Sequence, residues 1–320
     1  MTTAPRLIVE FPGAPAPDAE AARTVVAAAR AAAAVATARS VPLLLPETAD
    51  GGGPGLDPSV LAGILAADLI APHTSGTVRR PAGAPPRLIV AASSSRNAPY
   101  NLARRIQSLN RITCGQVGLF LRADGLDPVT SAAPSSPPTI ADSHARLLAE
   151  YVEVLRRLWV SFPEEALVGD RDTGRFADPR SLVPASFAGE VYSVAGALNV
   201  PLPSAHRTLL LTDAVAAGPA VSVDGVIGPD SGGQEDAAAP NYLTVTWIPA
   251  GGGAPAGTSP EEVVVTGTVD AAARVLREAS AGHVLLRVRA AASQLATLLE
   301  ALFEALPAQH ESRDFQAHVK

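Results

Sequence analysis

Six histidines, one cysteine and two short acidic groups are the residues whose types could do chemistry in this sequence. Histidines one helical turn apart, or beside a carboxylate cluster, would suit a zinc ion. His73, His144, His206 and His283 instead stand singly, without a partner at i,i+4, which favours structural roles. A cysteine acts as a nucleophile through its thiolate, which needs a neighbouring cation, base or helix N-terminus. Cys114 precedes a glycine at the entry to a strand-like run, where a small buried residue suits packing, and nothing near it in sequence would activate it. Glu164–Glu165 and Asp170–Arg171–Asp172 have the composition of acid–base groups, yet they sit in a polar turn beside Gly169 and Gly174, so a solvated surface is the simpler reading.

The common motifs for phosphate, zinc and ester chemistry (GxGxxG, GxxxxGK, HExxH, GxSxG) are missing. The triple glycines Gly51 to Gly53 and Gly251 to Gly253 lie beside proline with no lysine or helix start behind them, so they read as connections.

What would position any site is a series of short apolar runs alternating with longer segments of helical period, the pattern of βα units on a parallel sheet. Strands are expected at Arg6 to Phe11, Val41 to Leu45, Arg87 to Ser93, Gln116 to Leu121, Arg207 to Thr212, Ala220 to Ile227, Asn241 to Ile248 and His283 to Val288. Helices are expected at Asp18 to Ala38, Leu56 to Ile70, Ala98 to Arg111, His144 to Trp159, Thr268 to Ala279 and Leu295 to Leu306. Eight strands with interleaved helices fit a (β/α)₈ barrel, with a doubly wound open sheet as the competitor. The stretch from Trp159 to about Pro203 is long for a connection and rich in aromatics, and Ala188 to Gly196 reads as a small hairpin within it. The domain reading is one barrel over 1–309, with an insertion loop at 161–206 and a frayed tail at 310–320.

The chain has 320 residues, 47% hydrophobic and 18% charged, with a net charge of −6. That balance folds, and it argues against a basic surface for nucleic acid or an anionic membrane. Lys320 is the only lysine; arginine carries the rest of the positive charge. A single cysteine excludes an internal disulfide framework and fits the cytoplasm. The alanine-rich stretch Ala19 to Ala38 is broken by charges, so no membrane span is expected.

Two stretches resemble a known family. NAPYNLARRIQSLNRITCGQVG (Asn97 to Gly118) is similar to the luciferase-like flavin-dependent monooxygenases, where a βα loop leads into a helix of the type P-Y-x-L-A-R-x-x-x-S-L-D. Glu150 to Pro203 resembles the region found in the nitrilotriacetate and sulfone monooxygenase branch: a helix ending in Leu-Trp, an acidic turn, D-x-x-x-G-R-x-x-D-P and V-x-G-x-L-N-x-P. The resemblance is clear from about Leu88 to Thr212, and the chain looks shortened between Thr212 and Thr266. It implies a TIM-like barrel, reduced FMN supplied by a separate flavin reductase, molecular oxygen, and a substrate pocket at the C-terminal strand ends.

The family's flavin-contacting positions can be followed along the chain. After the third strand, where the family has small hydroxyl residues, stand Ser93, Ser94 and Ser95. On the fourth strand the family's asparagine and threonine fall on Phe120 and Ala123, with Arg122 between them. The family's arginine-tyrosine pair falls on His144 and Ala145, and its Q-A-G-S-S phosphate turn on Thr212, Asp213, Ala214, Val215 and Ala216. Asp213 would set a carboxylate against a dianionic phosphate, and two unit charges about 4 Å apart repel by about 1 kcal/mol even in bulk water. The resemblance therefore implies a component of a two-component monooxygenase system in one of two forms. One is a non-catalytic or weakly flavin-binding subunit, paired with an intact homologue or with itself. The other is an autonomous enzyme holding FMN differently, through Ser93, Ser94, Ser95 and Arg122. A small-ligand-binding protein reusing the barrel pocket is a third reading.

Overall fold

The computed structural model describes residues 6–13, 15–47, 55–70, 85–122, 124–126, 128–131, 144–201, 207–213, 223–227, 241–250, 263–279 and 283–306. Its strands and helices alternate from the start: β1 (Arg6–Glu10), α1 (Ala19–Ala38), β2 (Leu43–Leu45), α2 (Pro58–Ile70), β3 (Leu88–Ser93), α3 (Pro99–Thr113) and β4 (Val117–Arg122). A short α4 (Pro128–Ser131) and the long α5 (His144–Val160) follow. Two hairpins come next, β5 (Leu167–Asp170) with β6 (Arg175–Ala177) and β7 (Phe187–Ala188) with β8 (Ser193–Val194). Then come β9 (Leu210–Asp213), β10 (Gly225–Ile227), β11 (Asn241–Pro249), β12 (Val263–Gly267), α6 (Val269–Glu278), β13 (His283–Val288) and α7 (Leu295–Ala305).

Strands β1, β2, β3, β4, β9, β10, β11 and β13 pair in that order, all parallel, and β13 returns to β1, so they close into an eight-stranded barrel. The eight expected strands are these eight. β12 is a ninth that the sequence reading missed, parallel to the second half of β11. Its Val263 and Val264 are exposed, so no alternation marks it as half-buried.

Two apolar layers hold the barrel. One fills its lumen: Ile8, Leu44, Ile89, Phe120, Leu211, Ile227, Tyr242 and Leu285 are all buried. The alternate residues, such as Val9, Leu43, Leu45, Val90 and Leu119, point outward and are covered by the helices. The termini of those helices are fixed locally. Asp18 caps α1 by accepting from the amides of Glu20 and Ala21, Pro99 opens α3 where no amide is needed, and Thr268 caps α6 by accepting from Ala271.

Of the sequence expectations, that of a buried Cys114 is corrected, and that of a surface turn at Asp170–Asp172 is met. By length and composition alone α1 is long and apolar enough to cross a membrane; here it lies on the barrel, burying the small-residue face of Ala28, Ala29, Ala32, Ala33 and Ala36. Cys114 is not a buried packing residue. It closes α3 in the left-handed region at φ +54° and is partly exposed. The polar turn at Asp170–Asp172 is the tip of the β5–β6 hairpin. The Asp170 carboxylate accepts from the amides of Asp172 and Thr173 and from the Thr173 hydroxyl, which is turn chemistry rather than acid–base chemistry.

Candidate functional site

In a barrel of parallel strands the side chains that can meet a ligand stand at the C-terminal ends, above the filled lumen. Glu10 on β1, Ser93 on β3, Arg122 on β4, Asp213 on β9 and Arg287 on β13 share the inward register of the lumen residues and stand at or next to the ends of their strands at this mouth. Ser93 lies beside Arg122, and Glu10 lies beside Arg287.

Ser93, Ser94, Ser95 and Arg122 are thus brought together at the mouth, where the family resemblance implied. Their bonding is internal. The Ser93 hydroxyl donates to Asp124 Oδ1 at 2.6 Å, the Ser95 amide donates to the same oxygen at 3.1 Å, and the Ser93 and Ser95 hydroxyls are 2.7 Å apart. Arg122 Nη2 stands 3.6 Å from Asp124 Oδ2. The Ser94 hydroxyl donates to the Gly125 carbonyl at 2.7 Å, and Gly125 sits at φ +150°, a conformation suited to glycine. Behind the turn, the Asn97 side chain donates to the Ser93 carbonyl, Arg105 donates to the Asn97 side chain, and the buried Tyr151 donates to the Asn97 carbonyl at 2.6 Å. α3 and α5 therefore both hold this loop in place.

A second carboxylate, Glu47 just after β2, faces the same group. Burial, the largest influence, pushes it above the ordinary carboxylate range and Asp124 adds to that, against the Ser93 amide, Arg96 and Arg122. For Asp124 burial is also the largest single influence and pushes upward. The Ser93 and Ser95 hydroxyls, the Ser95 amide and Arg122 together outweigh it and hold Asp124 below that range.

As arranged, this set does not fit a flavin phosphate. Its hydroxyls and the Ser95 amide already serve Asp124 and Gly125, and two carboxylates face the space a dianion would take. Among the other family positions that are described, the Thr212 hydroxyl donates to the Leu121 carbonyl at 2.9 Å. Phe120 is buried in the lumen cluster, and Asp213 is the last residue of β9, beside Ile227 of β10. Ala123, Val215 and Ala216 lie outside the described residues, as do the side chains of His144 and Ala145.

Between β1, β13 and the start of α7 the mouth opens into a cleft of about 840 Å³, lined among others by Glu10, Arg287, Arg289, Ser293, Thr297 and Leu298. Across it Arg287 Nε donates to Glu10 Oε2 at 2.8 Å.

The other groups singled out in the sequence are not at the mouth. His283 opens β13 at the opposite end of the barrel, its ring edge-on to Tyr242 at 4.9 Å; His73 and His206 lie outside the described residues. Glu164 pairs with Arg111 at the C-terminal end of α3. No group of three metal-ligating side chains occurs among the described residues. The sequence reading missed Glu10, Glu47, Asp124 and Arg287; their one signal was position, at or just past the end of an apolar run.

No family model matches the chain. Over 115 residues, 35% of the chain, it is 30% identical to the N-acetyl-S-(2-succino)cysteine monooxygenase of Bacillus subtilis. Over 117 residues, 36% of the chain, it is 30% identical to nitrilotriacetate monooxygenase component A of Aminobacter aminovorans. Each match spans about a quarter (26%) of the relative's own length. Among solved structures, the EDTA monooxygenase of Chelativorans sp. BNC1 superposes with a TM-score of 0.63 at 16% identity, covering 98% of both chains. At that identity the likeness speaks for the fold.

Proposed function

The chain is a relative of the luciferase-like flavin monooxygenases, and from that kinship we propose that it is a component of a two-component, reduced-FMN-dependent monooxygenase system, acting as its non-catalytic or weakly flavin-binding subunit. The likeness to nitrilotriacetate monooxygenase component A supports the two-component part. The observation that carries the subunit part is the bonding of the mouth: the serines and Arg122 that resemblance offers to FMN serve Asp124 and Gly125 instead. In this reading the barrel is kept for association with an intact homologue, and its single cysteine suits the cytoplasm.

Titrating the full chain with FMN and with reduced FMN, followed by flavin fluorescence and absorbance, tests the proposal. Binding weaker than micromolar is expected, together with monooxygenation only when an intact homologue and a flavin reductase are added. Micromolar or tighter FMN binding, with turnover by the chain and a reductase alone, would establish the autonomous enzyme instead.

The cleft favours a second reading, a small-ligand-binding protein. Its volume falls within the usual range of ligand pockets, about 300–1,000 Å³, and it joins Arg287 and Arg289 to the apolar Leu298. Native mass spectrometry of the purified chain separates the two: a retained small molecule supports the binding protein, and a retained second barrel supports the subunit.

A further inference from the structure

We propose that the Ser93–Ser95 turn is an oxyanion cradle whose occupant is the chain's own Asp124, so that residue 124 decides whether an external phosphate can enter. The inference deepens the reading of this mouth as closed to flavin phosphate and rests on it.

The donors converge on one carboxylate. The Ser93 hydroxyl and Ser95 amide reach Asp124 Oδ1 at 2.6 and 3.1 Å, and the guanidinium of Arg122 stands 3.6 Å from Oδ2. A hydroxyl and a backbone amide on one oxygen, with a guanidinium beside the other, are what recognise the oxygens of an anion of any source. The Ser93 hydroxyl donates its proton to Asp124, and the Ser95 hydroxyl stands 2.7 Å from it. The site is also reachable, since the Asp124 side chain is 34% exposed.

Charge gives the same answer. Asp124 is the carboxylate beside the Arg122 guanidinium, and Glu47 feels both of them. Taking away Asp124 removes a negative charge from beside Arg122 and releases the Ser95 amide and the Ser93 hydroxyl. A phosphate then replaces an intramolecular anion in a cradle that is already formed. In the unaltered chain it must displace a carboxylate held at high effective concentration by the short Arg122-to-Asp124 connection.

The experiment compares the full chain with Asp124→Ala and Asp124→Asn, using inorganic phosphate, FMN and riboflavin at constant ionic strength, with calorimetric titration and thermal denaturation as readouts. Circular dichroism confirms that each variant is folded. Asp124→Ala is expected to bind phosphate at least tenfold more tightly than the unaltered chain and to gain thermal stability from it. Asp124→Asn, which removes the charge but still fills the space, should gain less, and it decides the matter if the alanine variant does not fold. An FMN gain exceeding any riboflavin gain would identify the anion as a flavin phosphate, whereas equal behaviour with a phosphate gain retained would identify free phosphate; both support the cradle. A folded Asp124→Ala whose phosphate affinity equals that of the unaltered chain overturns it, as does an Asp124→Asn without gain when alanine fails to fold. Tight FMN binding by the unaltered chain would overturn the subunit reading alone, leaving the phosphate comparison to judge the cradle.

Discussion

Arg287 of β13 and Glu10 of β1 are register partners on the seam where the last barrel strand meets the first, and their side chains close it with a 2.8 Å hydrogen bond. Both are partly buried, at 32% and 21% exposure. Replacing Glu10 by Gln should lower stability by about 1 kcal/mol, as for a partly screened pair. Urea unfolding checks this, and the loss should shrink in 1 M salt. A loss unaffected by salt would assign the effect to packing.

At the other end of the barrel, Asp224 gathers Arg156 and Arg207, each at 2.9 Å, and the amide of Leu210 at 2.8 Å. Arg156 is shielded enough that burial, the largest influence, pulls its guanidinium below its ordinary range against the support of Asp224. Asp224→Ala leaves that charge without its counterion and should lower stability by about 3 kcal/mol. An unfolding free energy within 1 kcal/mol of the unaltered chain would contradict this account.

Gln107 of α3 is fully buried, and neither atom of its amide has a hydrogen-bond partner among the described residues. Substitution by Met, similar in length and without polar needs, should raise stability by about 1 kcal/mol or more. A lower melting temperature would show that the amide has a partner after all.

Glu150 of α5 holds the second hairpin through its carboxylate, which accepts from the amides of Glu190, Val191 and Tyr192 at 2.9, 2.8 and 3.0 Å. In Glu150→Ala those three amides should exchange with solvent deuterium much faster, while the amides of β3 and β4 keep their protection. Equal protection in both proteins would mean that the hairpin is held by its apolar contacts alone.

The two mouth carboxylates should respond to pH in opposite senses. Asp124, held below the ordinary range, stabilises the fold above its unfolded value near 4, and that contribution is lost as the pH falls through its folded value. Glu47, pushed up, opposes folding once ionised, so its penalty appears as the pH rises through its folded value. Measured by urea unfolding across the acid range, the stability gap between the unaltered chain and Asp124→Asn should narrow toward low pH. For Glu47→Gln, stability relative to the unaltered chain should improve as the pH rises. Parallel curves would remove either carboxylate from the account.

Runs such as RLIVAAS and HVLLRV announced their strands because burial on both faces leaves their centres apolar. β5 and β6 escaped notice because short, exposed strands carry no such signal, and the Asp170 turn between them is polar. At the site, Ser93, Ser94, Ser95 and Arg122 were legible by position, but their bonding was not. Asp124 is 31 residues from Ser93, and only the closure of β3 against β4 sets the two side by side. The same holds for Glu10 and Arg287, 277 residues apart.

The eight barrel strands are not joined with equal strength. β10 meets β11 through two residue pairs, Val226 with Asn241 and Ile227 with Tyr242, while the rest of that edge of β11 is taken by β12. A cylinder slit along one line becomes a sheet, and among the described residues β10–β11 shares its thin stitching of two register pairs with β1–β2 alone. A fluctuation that parts β10 from β11 unrolls the wall there and admits water to Ile227 and Tyr242 while the β1–β13 seam, with five paired residues, stays shut.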